Sequence, residues 1–325
     1  MDLEPVRPID LAEIEAARVR IAGTILRTPL VRLELGPGLP DIRLKLENLQ
    51  PINAYKLRGA ANAVSMLSAA ERRRGVWTIS AGNAGQGVAY AARAAGVPCA
   101  VVAIETAPVA KLERMKALGA RLVLVPYARA WQALEERAYP GVEGTFIHPF
   151  DDHNFIAGHG VMGLEILEDA PDAAAVIGAV GGGGLLAGLG ASIKAIKPSV
   201  KIWGAEPETA APLACSLAAG SAQTFPEWKA SFVDGAGGQS LFPRMWERLQ
   251  PLVEGCIVVS LEETRRAMRL MAEKSRVIAE GAGALALAAA LTGKAGQGPI
   301  IAVVSGGNID LKTFCEIIEA TDGAP

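Results

Sequence analysis

Short apolar runs alternate with longer amphipathic stretches along most of this chain. The runs predict buried strands, because they are short, rich in β-branched residues and bounded by turn signals. They are Val76–Ile79, Cys99–Ile104, Arg121–Val125, Ala175–Val180, Lys201–Ala205 and Ile300–Val304.

Helical patterns lie between these runs. Lys111–Leu118 is amphipathic and ends at a glycine, Gly163–Glu168 has helical spacing, and Ser260–Lys274 opens with a capping box, Ser-x-x-Glu. Such strand–helix alternation predicts an α/β protein with a mainly parallel sheet covered by helices on both faces. Ligands of these folds bind at the carboxyl ends of the strands, so the loops after strands are the first places to search.

Composition narrows the class of protein. The chain has 325 residues, half of them apolar, and a net charge of −2, which suits a globular protein of two domains. The near-neutral charge gives no reason to expect nucleic acid or an anionic membrane as partner. The uncharged stretch Ala173–Ile193 is interrupted by Gly181–Gly184, so it predicts a strand, a glycine loop and a helix rather than a membrane span.

The N-terminal residues lack the apolar core of a signal peptide. Four cysteines lie far apart in apolar surroundings, which favours buried, reduced thiols over disulfides or metal ligands; they are Cys99, Cys215, Cys256 and Cys315. We therefore expect a cytoplasmic protein.

Candidate chemistry begins with Lys45–Ala60, a strand-like opening followed by a loop that places Lys56 at the start of a predicted helix. The positive end of a helix disfavours the ammonium form of a lysine. By itself Lys56 is either an ordinary surface residue or a Schiff-base nucleophile.

Three further loops follow predicted strands. Ser80–Gly87 offers Ser80 and Asn83 beside a helix N-terminus that could hold a carboxylate, although Asn83 could equally be a helix cap. Gly181–Gly184 lets several backbone N–H groups converge on a phosphate. Ser305 follows the last strand and carries a free hydroxyl.

A second interpretation competes at the glycine loop. Gly182-x-Gly184-x-x-Ala187 satisfies the dinucleotide fingerprint, and Glu206 follows at the distance expected of a ribose-binding acid. A nicotinamide-dependent oxidoreductase is therefore an alternative, although it leaves Lys56 and the loops of Asn83 and Ser305 unexplained.

Taken together, four segments in this order resemble the serine/threonine dehydratase and serine racemase family, fold type II pyridoxal-phosphate enzymes similar to tryptophan synthase beta: Lys45–Ala60, Ser80–Gly87, Gly181–Gly184 and Ser305–Asn308. The resemblance implies two domains, each a mainly parallel twisted sheet covered by helices. Residues 1–50 and 148–325 would form the large domain that binds the cofactor phosphate, and residues 51–147 a small mobile domain.

The resemblance also implies roles. Lys56 would hold pyridoxal 5'-phosphate as a Schiff base and move the substrate's α-proton, Asn83 would bind the ring hydroxyl, and Ser305 would face the pyridine nitrogen. The phosphate would bind to Gly181, Gly182, Gly183 and Gly184. The substrate would lie against Ser80, Ala81, Gly82, Asn83, Ala84 and Gly235.

The activity so implied is that of an ammonia-lyase, which converts a β-hydroxy amino acid to a 2-oxo acid and ammonia by α,β-elimination. The substrate would be threonine, serine or a bulkier 3-hydroxy amino acid such as phenylserine. An amino-acid racemase of the same family is the alternative, but Ala81 replaces the serine that reprotonates the α-carbon in racemases. We expect a homodimer.

Two departures from the family pattern lie near the expected substrate. Ala84 replaces a histidine, and Ala54-Tyr55 replaces Ser-Phe, which indicates either a bulkier substrate or neutral drift. Glu206 and Ala210 match two of three positions that bind a divalent cation in some members, while Pro212 occupies the third. The sequence therefore does not decide whether a divalent cation binds.

Overall fold

The computed structural model describes residues 4–36 and 40–320. Within these ranges the chain forms ten strands: β1 (Leu30–Arg32), β2 (Ile42–Leu46), β3 (Val76–Ile79), β4 (Cys99–Ile104), β5 (Arg121–Val125), β6 (Thr145–Phe146), β7 (Ala175–Ala179), β8 (Lys201–Pro207), β9 (Gly255–Val259) and β10 (Ile300–Val304).

The same ranges contain thirteen helices: α1 (Leu11–Ile21), α2 (Lys56–Ser65), α3 (Ala69–Arg74), α4 (Asn83–Ala94), α5 (Val109–Ala117), α6 (Tyr127–Glu136), α7 (His153–Asp169), α8 (Gly184–Ile196), α9 (Pro212–Ala219), α10 (Pro243–Leu249), α11 (Leu261–Ser275), α12 (Gly281–Leu291) and α13 (Leu311–Glu319). Single 3₁₀ turns cover Glu47–Leu49 and Asp234–Ala236. In the described part of the chain, no helix has the length and apolarity needed to cross a bilayer.

The strands form two sheets. A six-stranded sheet has the order β1-β2-β10-β7-β8-β9, and a four-stranded sheet has the order β5-β4-β3-β6. β1 pairs antiparallel with β2, whereas the other neighbours pair in parallel. The predicted α/β class with two mainly parallel sheets is therefore confirmed.

The domain boundaries stay a prediction. The four-stranded sheet lies inside the predicted small domain, residues 51–147, and the six-stranded sheet lies in the rest of the chain. The predicted large domain also includes residues 1–3, 37–39 and 321–325, which lie outside the described residues.

Several element boundaries differ from the expectation. The helix predicted at Gly163–Glu168 is part of the longer α7, and β9 was not predicted although its sequence is apolar and β-branched. The capping box of α11 is present as predicted. All four cysteines are free thiols, but the expectation of burial holds only in part: Cys99, Cys215 and Cys256 are half-buried, and Cys315 is exposed on α13.

The position of β10 decides where the loops meet. This last strand inserts between β2 and β7, so that Val304 pairs with Leu46 and Ala302 pairs with Ile177. Three parallel strands therefore release their carboxyl ends side by side. The lysine segment, the glycine loop and the Ser305 loop consequently share one edge of the sheet, where open α/β sheets bind ligands.

Helices cover both faces of the six-stranded sheet. α11, α12 and α13 pack on one face, and α1, α7, α8 and α10 pack on the other. α12 is buried along almost its whole length, which explains its lack of charged residues. The apolar runs of the sequence thus become strands buried on both sides.

A buried ion network joins β2, α2 and α7. Lys45 Nζ lies 2.6 Å from Glu165 Oε2, and the Arg58 guanidinium lies 2.8 Å from both Glu165 and Glu47. Lys45, Arg58 and Glu47 are fully buried, and Glu165 is nearly so. Two cations and two carboxylates balance one another, which is the condition for keeping charges out of water.

Truncation of this network tests its importance. Glu165→Ala leaves Lys45 and Arg58 with one carboxylate between them, so we expect the free energy of unfolding in urea to fall by about 3–5 kcal/mol. Glu168→Ala, on the same helix, removes exposed pairs with Arg18 and Arg27 and should cost less than about 1 kcal/mol. Equal losses for the two variants would contradict this assignment.

Candidate active site

A cavity of about 460 Å³ opens between the two sheets. Both sheets contribute walls to it, and most of the residues selected from the sequence line it. They are Lys56, Ser80, Ala81, Gly82, Asn83, Ala84, Gly181, Gly182, Gly235 and Ser305. Gly183 and Gly184 do not line the cavity and lie at the start of α8.

Lys56 is the first residue of α2, as predicted. The loop before it is tied to the large sheet, because Ala54 forms a β-bridge with Gly306 and the Tyr55 N–H donates to the Ser305 carbonyl at 3.0 Å. Lys56 Nζ donates to the Pro149 carbonyl at 2.6 Å. Burial lowers the pKa of Lys56 to about 7, so a large fraction of its amine is neutral and nucleophilic near neutral pH.

Asn83 begins α4, but its side chain does not cap that helix. The N-cap residue is Gly82, and the Asn83 amide instead reaches across the cavity to Glu280 and Asn308. The interpretation of Asn83 as a simple helix cap is therefore wrong. Ser80 Oγ accepts the Gly82 N–H at 3.1 Å, which shapes the turn between β3 and α4.

The glycine loop after β7 needs glycine at two positions. A Cβ atom on Gly182 would lie 2.1 Å from the Phe150 ring, and Gly183 has a φ of +90°. The loop therefore passes close to Phe150 and turns directly into α8. Backbone N–H groups at such a helix start suit a phosphate, so the loop fits the group that the sequence implies.

Ser305 lies at the end of β10, and its side chain is buried. Its hydroxyl donates to the Ala282 carbonyl at 3.3 Å and borders the cavity. A hydroxyl can accept or donate a hydrogen bond but does not carry the charge of a carboxylate. It would therefore not hold a pyridine nitrogen protonated.

Sequence reasoning missed Glu280 as a site residue. It lines the cavity, and burial together with the nearby charge of Asp234 raises the pKa of Glu280 to about 7. Asn83 Nδ2 donates to Glu280 Oε1 at 2.7 Å. The available signal was a lone acidic residue directly before the apolar stretch that forms α12.

Lys111 and Asp234 form an ion pair at the cavity. Lys111 lies on α5, beside the four-stranded sheet, and Asp234 lies in a 3₁₀ turn of the larger part. The pair therefore spans the opening between the two sheets.

Glu206 does not face the cavity. It is fully buried, and its two carboxylate oxygens accept the N–H groups of Leu213 and Ala214 at 2.8 and 2.9 Å, at the start of α9. Burial raises the pKa of Glu206 to about 7. A carboxyl group so placed reaches no ribose, which removes the main support for the nicotinamide alternative.

The same geometry does not fit the divalent cation that the sequence left open. Pro212 stands where the family's third ligand is an aspartate and has no carboxylate, and both oxygens of Glu206 accept N–H groups at the start of α9. Within residues 4–36 and 40–320, no cluster of three His, Cys, Asp or Glu side chains is arranged to bind a metal ion.

Known proteins resemble the chain in sequence and in structure. The family model described as pyridoxal-phosphate dependent enzyme matches residues 21–306. The L-threonine ammonia-lyase of Thermotoga maritima is 38% identical over 317 residues, which cover 95% of this chain and 78% of that protein.

Solved structures of related proteins also resemble the chain. Maize serine racemase superposes with a TM-score of 0.89 at 32% identity, covering 95% of this chain and 97% of that one. The T.th. threonine deaminase superposes with a TM-score of 0.85 at 37% identity, covering 93% of this chain and 99% of that one.

The matched range includes every cavity residue from Lys56 to Ser305. The buried lysine, the glycine loop and the hydroxyl at the end of β10 fit pyridoxal phosphate, and the sequence relatives support lyase activity. The chain therefore belongs to the family of pyridoxal-phosphate dependent enzymes, with pyridoxal phosphate as its cofactor and a lyase activity.

Proposed function

We propose that this lyase is a dehydratase that converts a β-hydroxy amino acid to a 2-oxo acid and ammonia by α,β-elimination. The observation that carries the proposal is the buried amine of Lys56 in a cavity where position 81 is an alanine, which has no hydroxyl to act as the second base of a racemase. A single base at the α-carbon favours elimination over inversion.

Bound pyridoxal phosphate withdraws electrons from the α-carbon of an attached amino acid and thereby acidifies the α-proton. In our proposal Lys56 holds the cofactor and later takes that proton on Nζ. The β-hydroxyl then leaves as water with the proton taken from the α-carbon, and the released enamine takes up water and loses ammonia. Asn83 binds the ring hydroxyl, and Ser305 faces the ring nitrogen without protonating it.

We also propose the roles of the glycine loop, the substrate-binding loop and the small domain that the family resemblance implies. Gly181, Gly182, Gly183 and Gly184 bind the phosphate, and Ser80–Ala84 with Gly235 bind the substrate. Residues 51–147 close over the cavity as a small domain, an assignment that the ion pair between Lys111 and Asp234 supports. A cytoplasmic location, expected from the N-terminal residues and the cysteines, and a homodimer, expected from the family resemblance, are also part of the proposal.

We propose further that the β-substituent of the substrate is bulkier than that of threonine, as in phenylserine. Ala84 leaves space in the cavity wall, and Ile104, Leu134 and Phe150 line the same cavity with apolar surface. Such a wall binds hydrocarbon rather than a polar group. Neutral drift around threonine or serine is the competing account.

The low pKa of Lys56 predicts how cofactor attachment depends on pH. Because the amine becomes neutral above its pKa of about 7, borohydride-trapped attachment of pyridoxal phosphate to apoprotein should rise through pH 7 and then level off. Lys56→Ala should abolish it. A rise only near pH 10, as for surface lysines, would contradict this prediction.

The alanine at position 81, where racemases of the family have a serine, predicts the products. With any accepted substrate, the wild type should release 2-oxo acid and ammonia in equal amounts and no D-amino acid, as measured by chiral chromatography. Ala81→Ser should introduce measurable D-product, whereas Ala84→Ser, which adds the same hydroxyl elsewhere in the loop, should not. D-amino acid as the main product of the wild type would refute the dehydratase and favour the racemase.

The pocket argument predicts a change of specificity. Ala84→His should lower kcat/KM for phenylserine relative to threonine by at least about 10-fold, because the imidazole fills the space left by the alanine. Steady-state kinetics on both substrates give the ratio, with serine as the smallest reference. An unchanged ratio would leave neutral drift as the explanation of Ala84.

A further inference from the structure

Four polar side chains form a continuous chain of hydrogen bonds beside the cavity. Arg114 Nη1 donates to Asn308 Oδ1 at 2.6 Å, Asn308 Nδ2 donates to Asn83 Oδ1 at 2.7 Å, and Asn83 Nδ2 donates to Glu280 Oε1 at 2.7 Å. We call these four residues the amide relay. None of them except Asn83 has a role in the function proposed above.

The relay crosses between the two parts of the molecule at every step. Arg114 and Asn83 lie on α5 and α4, which pack beside the four-stranded sheet. Asn308 follows β10, and Glu280 precedes α12, so both belong to the part built on the six-stranded sheet. The two pairs of residues therefore interlock across the cavity.

The direction of the relay is fixed at its two ends. A guanidinium group only donates hydrogen bonds, so Arg114 requires the oxygen of Asn308 to face it. The Asn308 NH₂ group then donates to Asn83 and, at 2.8 Å, to the Ile52 carbonyl, which uses both of its hydrogens. Asn83 must in turn present its NH₂ group to the carboxyl oxygen of Glu280.

The orientation of Asn83 is thereby decided by Glu280, which lines the cavity, and by Arg114 and Asn308, which do not. An asparagine side chain can flip between two nearly identical shapes that exchange a donor for an acceptor. Here one shape satisfies all four members, and it leaves one N–H of Asn83 unused beside the cavity. The flipped shape would set two NH₂ groups against each other at Asn308 and, when Glu280 is ionised, two oxygens against each other at Glu280.

We propose that the amide relay is a positioning device for the cofactor, in which Arg114 acts through Asn308 to hold the free N–H of Asn83 toward the ring hydroxyl. The inference rests on the role proposed above for Asn83. Arg114 and Asn308 are accordingly positioning residues rather than catalytic ones. Since the relay needs both parts of the chain, it is complete only when the two sheets are as close as they are here.

Asn308→Asp tests the direction of the relay at almost constant size. Aspartate still accepts from Arg114 but has no N–H to give, so Asn83 must turn its NH₂ group toward residue 308 and its oxygen toward the cofactor. We expect the dissociation constant of pyridoxal phosphate from apoprotein, followed by its visible absorption, to rise roughly 5- to 100-fold. The position of the absorption band should shift as well.

Arg114→Ala removes the donor that starts the relay without touching the cavity wall assigned to the cofactor. Because Arg114 is exposed, we expect a smaller rise in the same dissociation constant, roughly 2- to 5-fold. Lys116→Ala is the matched control, since Lys116 is an exposed cation on the same helix that pairs only locally with Glu113. It should leave the dissociation constant unchanged.

The double variant Asn308→Asp/Glu280→Gln separates positioning from stability. Glutamine can donate to the oxygen of a flipped Asn83, so each of the four side chains regains a partner and the melting temperature of the apoprotein should rise above that of Asn308→Asp, although the Ile52 carbonyl still lacks its donor. Asn83 remains flipped, however, so cofactor affinity should stay low. Recovery of both quantities together would overturn the proposal, as would wild-type affinity in Asn308→Asp.

Failure of the proposed function would look different. The wild type would then bind pyridoxal phosphate but release D-amino acid in place of 2-oxo acid and ammonia, a result that leaves the effect of the relay variants on cofactor affinity unchanged. If the wild type binds normally and the relay variants bind equally well, the relay alone is wrong and the proposed lyase reaction is unaffected.

Discussion

The buried network of Lys45, Glu47, Arg58 and Glu165 is the constraint on which the rest of the structure depends. It joins the strand that enters the site, the helix that begins at Lys56, and the long helix α7. Removing charges from water is costly, and full pairing offsets that cost only in one geometry. The network therefore holds α2 in one place relative to the sheet, and Lys56 lies two residues from Arg58.

Much of the fold could be predicted from local signals. Short β-branched runs, glycine loops and the capping box of α11 act over a few residues, and the structure contains them nearly where they were expected. The Lys56 segment, the glycine loop and the Ser305 loop meet because β10 inserts between β2 and β7. Strand order itself depends on pairing over hundreds of residues, which no local pattern in the sequence records.

The parts of the site that sequence reasoning missed depend on contacts between residues far apart in the sequence. Glu280 matters because of Asn83, 197 residues away, and Asn308 because of Arg114, 194 residues away. Each of these residues is ordinary beside its own neighbours in the sequence. For Glu206 the sequence suggested a role that the structure does not support. Its spacing from the glycine loop suited a ribose ligand, but its buried carboxylate accepts hydrogen bonds from the N-terminus of α9.

The β-bridge between Ala54 and Gly306 has a consequence for how such a protein can change. Backbone hydrogen bonds join the segment bearing Lys56 to the segment bearing Ser305, and both segments are attached to the large sheet. Ile104 and Leu134, which line the cavity, come instead from the part built on the four-stranded sheet. Substitutions there can alter which side chain is admitted while the chemical apparatus stays intact, so selectivity and reactivity are free to evolve separately.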